Sequence, residues 1–211
     1  MENKTRKVKF SAKELSLIAI FAAITAVLAQ IAVPLPFTPI PISFGVVAVY
    51  ISGILLKPKH AVFAQLCYLA LGAVGVPVFG GLRGGAAALF GPTGGYLLVY
   101  PITAWIVSQA LNSVKSRRAE HRRGRIFVLL KAAVAMCVSL AVLYLCGTVW
   151  LTATTGNTFV ASLSLAVFPY IPLDLFKILF CTLAIVPLRS RLLSMSLLML
   201  DGKATDKTGA V

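Results

Sequence analysis

Long apolar stretches alternate with short polar or basic connections along this chain of 211 residues. A bilayer core takes about 20 apolar residues per helix. Six stretches approach that length, namely 14–33, 41–56, 60–76, 93–113, 126–149 and 171–188. Each needs its neighbours to cover its polar groups. The pattern therefore predicts an all-α integral membrane protein, a six-transmembrane-helix bundle that forms one domain over residues 1–211.

Two of the connections have a distinctive composition. Residues 33–41 contain four prolines, which remove backbone donors and forbid a continuous helix. We expect a stiff, extended loop there, outside the membrane. Residues 152–168 are rich in Ser and Thr and carry no charge, which predicts a second external loop with a short interfacial helix.

A third connection, residues 72–95, holds nine glycines and two prolines in 24 positions. Irregular backbone at membrane depth persists only where protein buries it or where it lines a polar cavity. Glycines also let backbone approach a ligand closely. The segment is therefore either a folded, irregular wall on the outer side of the bundle or a flexible external loop, and its apolar flanks favour the wall.

Charge decides the orientation of the predicted bundle. The chain is 59% hydrophobic and carries a net charge of +14, and 18 of its 20 Lys and Arg residues fall in four blocks, at 4–13, 57–59, 115–131 and 189–207. Basic residues in short loops mark the cytoplasmic side of a membrane protein. Both termini are then cytoplasmic, with polar tails at 1–12 and 201–211. A soluble basic face for nucleic acid is not available, so we expect membrane lipid and no nucleic acid as a partner.

The sequence carries no pattern typical of an enzyme. Phosphate-loop, zinc-protease and nucleophile-elbow motifs are absent, so the chain itself is not expected to hydrolyse ATP or to act as an enzyme. The four cysteines, Cys67, Cys137, Cys146 and Cys181, have no metal-ligand spacing. Neither a metal site nor a disulfide is indicated.

Asp174 is the acidic residue that lies within apolar sequence, away from tails and loops. Pro172 suits the first position of a helix, so Asp174 falls in the first turn and Lys177 lies one turn later on the same face. An Asp at a helix start and an i,i+3 ion pair can be purely structural. Ionisable groups inside a membrane are more often functional. With Arg83, the pair offers one acceptor and two cationic donors, which suits a small ligand with N–H groups and a carboxylate or carbonyl.

Small residues line one side of the first predicted helix. Ala19, Ala22, Ala23 and Ala26 recur at spacings of three and four, and small residues at this spacing let another helix approach closely in lipid. The partner helix belongs either to the same bundle or to another protein.

Several of these residues also match a known family. The chain resembles the BioY family, the biotin-specific substrate-capture (S) components of energy-coupling factor (ECF) transporters. The most specific match is the glycine-rich segment 75–96, which ends in Gly-Pro-Thr-Gly-Gly-Tyr; Pro172, Asp174 and Lys177 match a late Pro-x-Asp-x-x-Lys pattern. The first helix and the proline-rich loop agree as well. Phe44 departs from the pattern, since relatives often have Gln there.

The resemblance implies capture of biotin on the outer side of a bacterial cytoplasmic membrane. It implies that the alanine stripe docks on a transmembrane coupling (T) subunit, driven by two ATPase subunits that hydrolyse ATP, and that no cofactor is bound. The substrate-binding residues expected from it and from ligand chemistry are Asp174, Lys177, Arg83, Tyr96, Phe79, Gly85 and Thr93. The alternatives are an S component for another small vitamin, a stand-alone facilitator, and a membrane enzyme that uses Asp174 as a proton relay.

Overall fold

The computed structural model describes residues 11–36, 38, 40–113 and 122–194. This part of the chain forms helices and one pair of very short strands. The helices are, in chain order, α1 (Ala12–Gln30), α2 (Gly45–Leu55), α3 (Pro58–Ala73), α4 (Ala86–Phe90), α5 (Gly94–Leu98), α6 (Tyr100–Asn112), α7 (Arg122–Thr155), α8 (Phe159–Ala166), α9 (Ile171–Phe180) and α10 (Val186–Ser194). The strands are β1 (Ala32–Val33) and β2 (Ile42–Ser43), which pair antiparallel.

The surface of the bundle is apolar where it would meet lipid. Within the described residues, three helical segments are long and apolar enough to cross a membrane, namely Ala12–Gln30, Gly124–Thr155 and Ile171–Arg189. Large apolar side chains on all three point outward, among them Val27, Val134 and Phe176, which are 61–67% exposed. The protein is thus a mostly helical membrane protein, as its hydropathy predicts.

Helix α6 lies at the centre of the bundle. It packs against α2, α3 and α7, while α1 packs against α2 and α3. At the α2–α6 crossing, a Cβ on Gly53 would lie 2.9 Å from the Ala104 carbonyl oxygen, so glycine permits the close approach. A buried amide joins three helices nearby, because Gln65 Nε2 donates to Thr25 Oγ1 and to Ser52 Oγ.

The helix bounds differ from the predicted ones at several ends. Helix α1 begins at Ala12, capped by Ser11 and Glu14 in a reciprocal pair of hydrogen bonds, so the predicted tail 1–12 ends earlier than expected. Its residues 1–10, and the tail 201–211, lie outside the described residues. The fifth predicted helix, 126–149, is longer at both ends as α7, and the fourth, 93–113, is divided into α5 and α6.

The last predicted helix continues past its expected end. After α9 the backbone widens into a π-helical turn, Cys181–Ile185, before α10. Pro187 lacks an N–H, and its ring would clash with the carbonyl four residues earlier in a regular α-helix. A wider turn just before this proline relieves that conflict. The proline-rich loop 33–41 contains no helix. The β1–β2 pair joins the two ends of this loop, which is a short exception to the all-α prediction.

Candidate ligand-binding site

Helix α9 holds a buried pair of opposite charges. Pro172 lies in its first turn, as predicted, followed by Asp174 and, one turn later, Lys177. The ammonium Nζ of Lys177 lies 2.8 Å from Asp174 Oδ1. These two residues are 5% and 6% exposed, whereas Phe176 between them is 67% exposed. The helix therefore turns its charges into the bundle and its apolar face outward, the arrangement expected of functional charges in a membrane.

Two other elements complete the surroundings of the pair. The hydroxyl of Tyr144, on α7, donates to Asp174 Oδ2 over 2.6 Å. Lys177 Nζ also donates to the backbone oxygen of Ser43 in β2, over 2.8 Å, and lies 5.8 Å from the centroid of the Phe44 ring. The charges are thus neutralised, but a carboxylate has about four acceptor positions and an ammonium three donors. Capacity for a ligand remains on both groups.

An aromatic cluster lies beside this polar centre. The rings of Tyr68 and Tyr100 stack with centroids 6.2 Å apart, and Phe79 meets Tyr68 edge-on at 5.5 Å. The hydroxyl of Tyr68 is buried without a hydrogen-bond partner among the described residues. Buried hydroxyls normally find a partner, so this hydroxyl is a further donor or acceptor for a polar ligand.

The glycine-rich segment is a folded wall and not a flexible loop. Phe79 and Arg83 exchange backbone hydrogen bonds of 2.9 and 3.1 Å, which close a hairpin. Two short helices follow, and Trp150 Nε1 on α7 donates to the Gly91 carbonyl between them over 2.9 Å. A Cβ on Gly95 would lie 2.2 Å from Trp150 Cβ, so only glycine lets this segment lie directly against α7.

The comparisons with known proteins agree with one another. The BioY family model matches residues 1–194. The chain belongs to the BioY family. It is 37% identical over 166 residues to a probable biotin transporter BioY of Pyrococcus horikoshii, which covers 79% of this chain and 90% of that relative. It is 32% identical over 169 residues to the biotin transporter BioY2 of Lactococcus lactis, covering 80% and 86%.

Two solved structures have the same fold as this BioY-family chain. The crystal structure of the S-component for biotin from an ECF-type ABC transporter superposes with a TM-score of 0.72 at 25% identity, covering 90% of this chain and 95% of that one. A second S component of a bacterial ECF transporter superposes with a TM-score of 0.53 at 18% identity, covering 87% and 96%. The chain is thus a multi-pass membrane transporter component with the ECF S-component fold.

The structure of this BioY-family member brings some of the predicted site residues together. Phe79 is buried in the aromatic cluster. The Tyr96 hydroxyl lies 3.4 Å from Thr148 Oγ1 on α7, one helical turn beyond Tyr144. Gly85, with a φ of 87°, is the N-cap residue of α4, and Thr93 is the N-cap residue of α5. All four build the walls, whereas only Asp174 and Lys177 form the polar centre.

Arg83 occupies a different environment from the charge pair. Its side chain is exposed, and it makes no hydrogen bond or ion pair with the part of the chain that the structure describes. Its backbone closes the hairpin with Phe79. A role for its guanidinium in holding a ligand stays a prediction.

The predicted alanine stripe is divided between two faces of α1. Ala19 and Ala23 are exposed and Ala26 is partly buried. Ala22 is 2% exposed and belongs to the core. Ala22 is therefore not available to a partner protein, because the rest of the bundle already covers it. Ala19 and Ala23, four residues apart, form the accessible pair.

Three residues of this neighbourhood did not emerge from the sequence. Tyr144 and Ser43 contact the charge pair from positions 30 and 134 residues away. Gln30, at the end of α1, binds the hairpin through contacts with Pro77, Phe79 and Leu82. The sequence does mark two of them as candidates, because Tyr144 and Gln30 are polar side chains within apolar helices.

Proposed function

We propose that this chain captures biotin from outside the cell as the S component of an ECF-type transporter. The observation that carries the proposal is the buried pair of Asp174 and Lys177 with the partly buried Tyr144, which has unused hydrogen-bonding capacity next to aromatic rings. Family membership supports biotin in particular, since relatives matched over most of their length are described as biotin transporters. The alternatives of a facilitator or an enzyme have no specific support.

The chemistry of biotin fits the cluster. Its ureido ring offers two N–H donors and a carbonyl acceptor, its bicyclic body is apolar, and its chain ends in a carboxylate. We propose that Asp174 accepts the ureido N–H bonds and that Lys177 donates to the ureido oxygen or to the carboxylate. The rings of Phe79 and Tyr96 cover the bicyclic body. Arg83, or backbone N–H groups near Gly85 and Thr93, hold the carboxylate.

The proposed orientation follows from the distribution of charge. Six crossings with both termini in the cytoplasm put the four basic blocks on the inner side. Asp174 then lies about 20 Å, at 1.5 Å per residue, from Arg189 at the inner end of the apolar segment Ile171–Arg189, within reach of a ligand from outside. We place the protein in the bacterial cytoplasmic membrane as a single domain.

The proposed partners are those of an S component. A T subunit docks on the exposed pair Ala19 and Ala23 of α1, because small residues at this spacing permit close helix packing in lipid. Two ATPase subunits hydrolyse ATP and drive release, since this chain has no phosphate loop.

A biotin titration of the detergent-purified chain tests the proposed ligand. Trp150, which holds the wall of the site through its Nε1, is the reporter, in a background in which the other tryptophan, Trp105 on the exposed face of α6, is replaced by Phe. We expect saturable quenching or enhancement with biotin. Lipoate, a carboxylate with a similar chain but no ureido group, is the control and should not compete. Absence of saturable biotin binding would overturn the assignment.

A further inference from the structure

Gln30, at the end of α1, is hydrogen-bonded to the first strand and to the turn of the glycine-rich hairpin, residues 77–83. Its Nε2 donates to the backbone oxygens of Pro77 and Phe79, each over 3.3 Å, as well as to Ala26 in its own helix. Its Oε1 accepts from the Leu82 backbone N–H over 3.0 Å. One amide therefore holds the first strand and the turn of the hairpin against α1.

The backbone of the hairpin needs such support at Leu82. Leu82 has a φ of 57°, a left-handed conformation that is unfavourable for a residue with a Cβ. Its side chain is 72% exposed, so packing does not hold the residue in place. Strained backbone persists only where its surroundings impose it. The hydrogen bond from the Leu82 N–H to Gln30 is a contact that holds Leu82 in this conformation.

The same end of α1 is also fastened to the other side of the site. The Ile31 carbonyl accepts from the Phe44 N–H over 3.1 Å, and Ala32 pairs with Ser43. Ser43 in turn accepts from Lys177. The contacts of Ile31 and Ala32 join backbone to backbone, so a substitution of the Gln30 side chain leaves them intact. The hairpin, in contrast, is joined to α1 through the Gln30 side chain.

We propose that Gln30 is a positioning residue that keeps the hairpin closed on the ligand site and ties it to α1. The position of the hairpin affects the site through Phe79. The Phe79 ring packs against Tyr68, and Tyr68 stacks on Tyr100. Helix α1 also carries the exposed pair Ala19 and Ala23, so the helix that we assign to partner docking holds the hairpin directly. This inference rests on the proposed function, because it concerns retention of that ligand.

The test compares Gln30→Met with wild type in the purified full chain. Methionine has a similar length and makes no comparable hydrogen bonds. We expect hydrogen–deuterium exchange to rise in peptides covering 76–85 and to stay unchanged in those covering 41–46. Loss of two to three hydrogen bonds should accelerate biotin dissociation by about tenfold or more, with a smaller change in the association rate. The matched control is Gln109→Met, because that exposed side chain on α6 makes no hydrogen bond with the described residues.

Gln30→Glu separates the two halves of the amide. Its carboxylate keeps an acceptor for the Leu82 N–H but cannot donate to the Pro77 and Phe79 oxygens. We expect a dissociation rate between those of wild type and Gln30→Met. A general loss of stability would instead lower the unfolding temperature of both variants in step with the dissociation rates.

Each result bears on one of the two proposals. Unchanged exchange in 76–85 for Gln30→Met would overturn the positioning role, whatever the ligand. Raised exchange with an unchanged dissociation rate would show that the hairpin does not retain biotin, and would also overturn it. If wild type binds no biotin, the proposed function fails, while the exchange measurement still decides whether Gln30 holds the hairpin.

Discussion

At the scale of single residues, the buried charges are stable because each has a partner with the right chemistry. Lys177 neutralises Asp174, and Tyr144 and Ser43 satisfy one further position on each group. A buried ion without a counterion costs several kcal/mol of stability, so removal of one partner of the pair destabilises the protein through the charge that remains. Substitutions in this cluster therefore act on both ligand affinity and folding stability, and the two have to be measured separately.

Asp174→Asn should weaken biotin binding and also lower the unfolding temperature, because it leaves the Lys177 charge buried without its counterion. The amide keeps one acceptor but loses the charge, and a hydrogen bond to a charged group contributes about 2 kcal/mol more than none. This predicts a rise in Kd of roughly 30-fold, measured by the fluorescence titration. Tyr144→Phe, which removes one donor and keeps the pair, should raise Kd less.

The control for this substitution is Glu14→Gln. Glu14 is the other carboxylate within the described residues, and it lies at the start of α1 beside Ser11 and His60. Its substitution should leave Kd unchanged. A wild-type Kd in Asp174→Asn would place the site elsewhere.

At this scale, the sequence predicts contacts between residues that are close together in the chain. The pairing of Asp174 with Lys177 follows from helix geometry over three residues, and the structure confirms it. The contacts of Tyr144, Ser43 and Gln30 join residues 30 to 134 positions apart. No periodicity encodes such contacts, because they depend on how the helices pack and where loops return.

At the scale of elements, the apolar pattern predicts which segments are helical but not how they end. Helix α7 continues to Thr155, beyond its predicted end at 149, because the Ser/Thr-rich sequence that follows does not forbid a helix. The glycine-rich segment shows the opposite case. Its composition predicts irregular backbone, and its hairpin and two short helices depend on close contacts with α7 and α1.

Gly147→Ala tests the contact between α7 and the glycine-rich wall. A Cβ at this position would lie 2.2 Å from the Tyr96 ring, so the ring or the helix must move. Overpacking of this kind typically costs about 1–3 kcal/mol. We expect a lower unfolding temperature and weaker biotin binding, measured by a thermal shift assay and the titration.

The neighbouring residue gives a matched control for the glycine substitution. Cys146 lies on the same turn of α7 but is exposed. The variant Cys146→Ala should therefore match wild type in both assays. A Gly147→Ala protein with unchanged stability and affinity would mean that Tyr96 is free to move and does not form a fixed wall.

At the scale of the whole molecule, polarity is distributed from inside to outside in a way that suits lipid. Buried positions include Gln65, Asp174 and Lys177, while exposed helix faces carry Val, Leu and Phe. Hydropathy predicts this class of protein well because it sums over many residues. It predicts the number of crossings less directly, since α2 has 11 residues and α3 has 16, fewer than the roughly 20 of a full span.

The proposed orientation makes opposite predictions for two connections. Asn157 lies in the exposed turn between α7 and α8, and Lys59 is exposed near the start of α3, in a basic block. In a background with the four native cysteines replaced by Ala, Asn157→Cys should react with a membrane-impermeant maleimide in intact cells. Lys59→Cys should react only after permeabilisation, because basic residues in short loops stay on the cytoplasmic side. Labelling of Lys59→Cys in intact cells would reverse the orientation, and it would then place the Asp174–Lys177 site nearer the cytoplasmic face, where capture from outside is not possible.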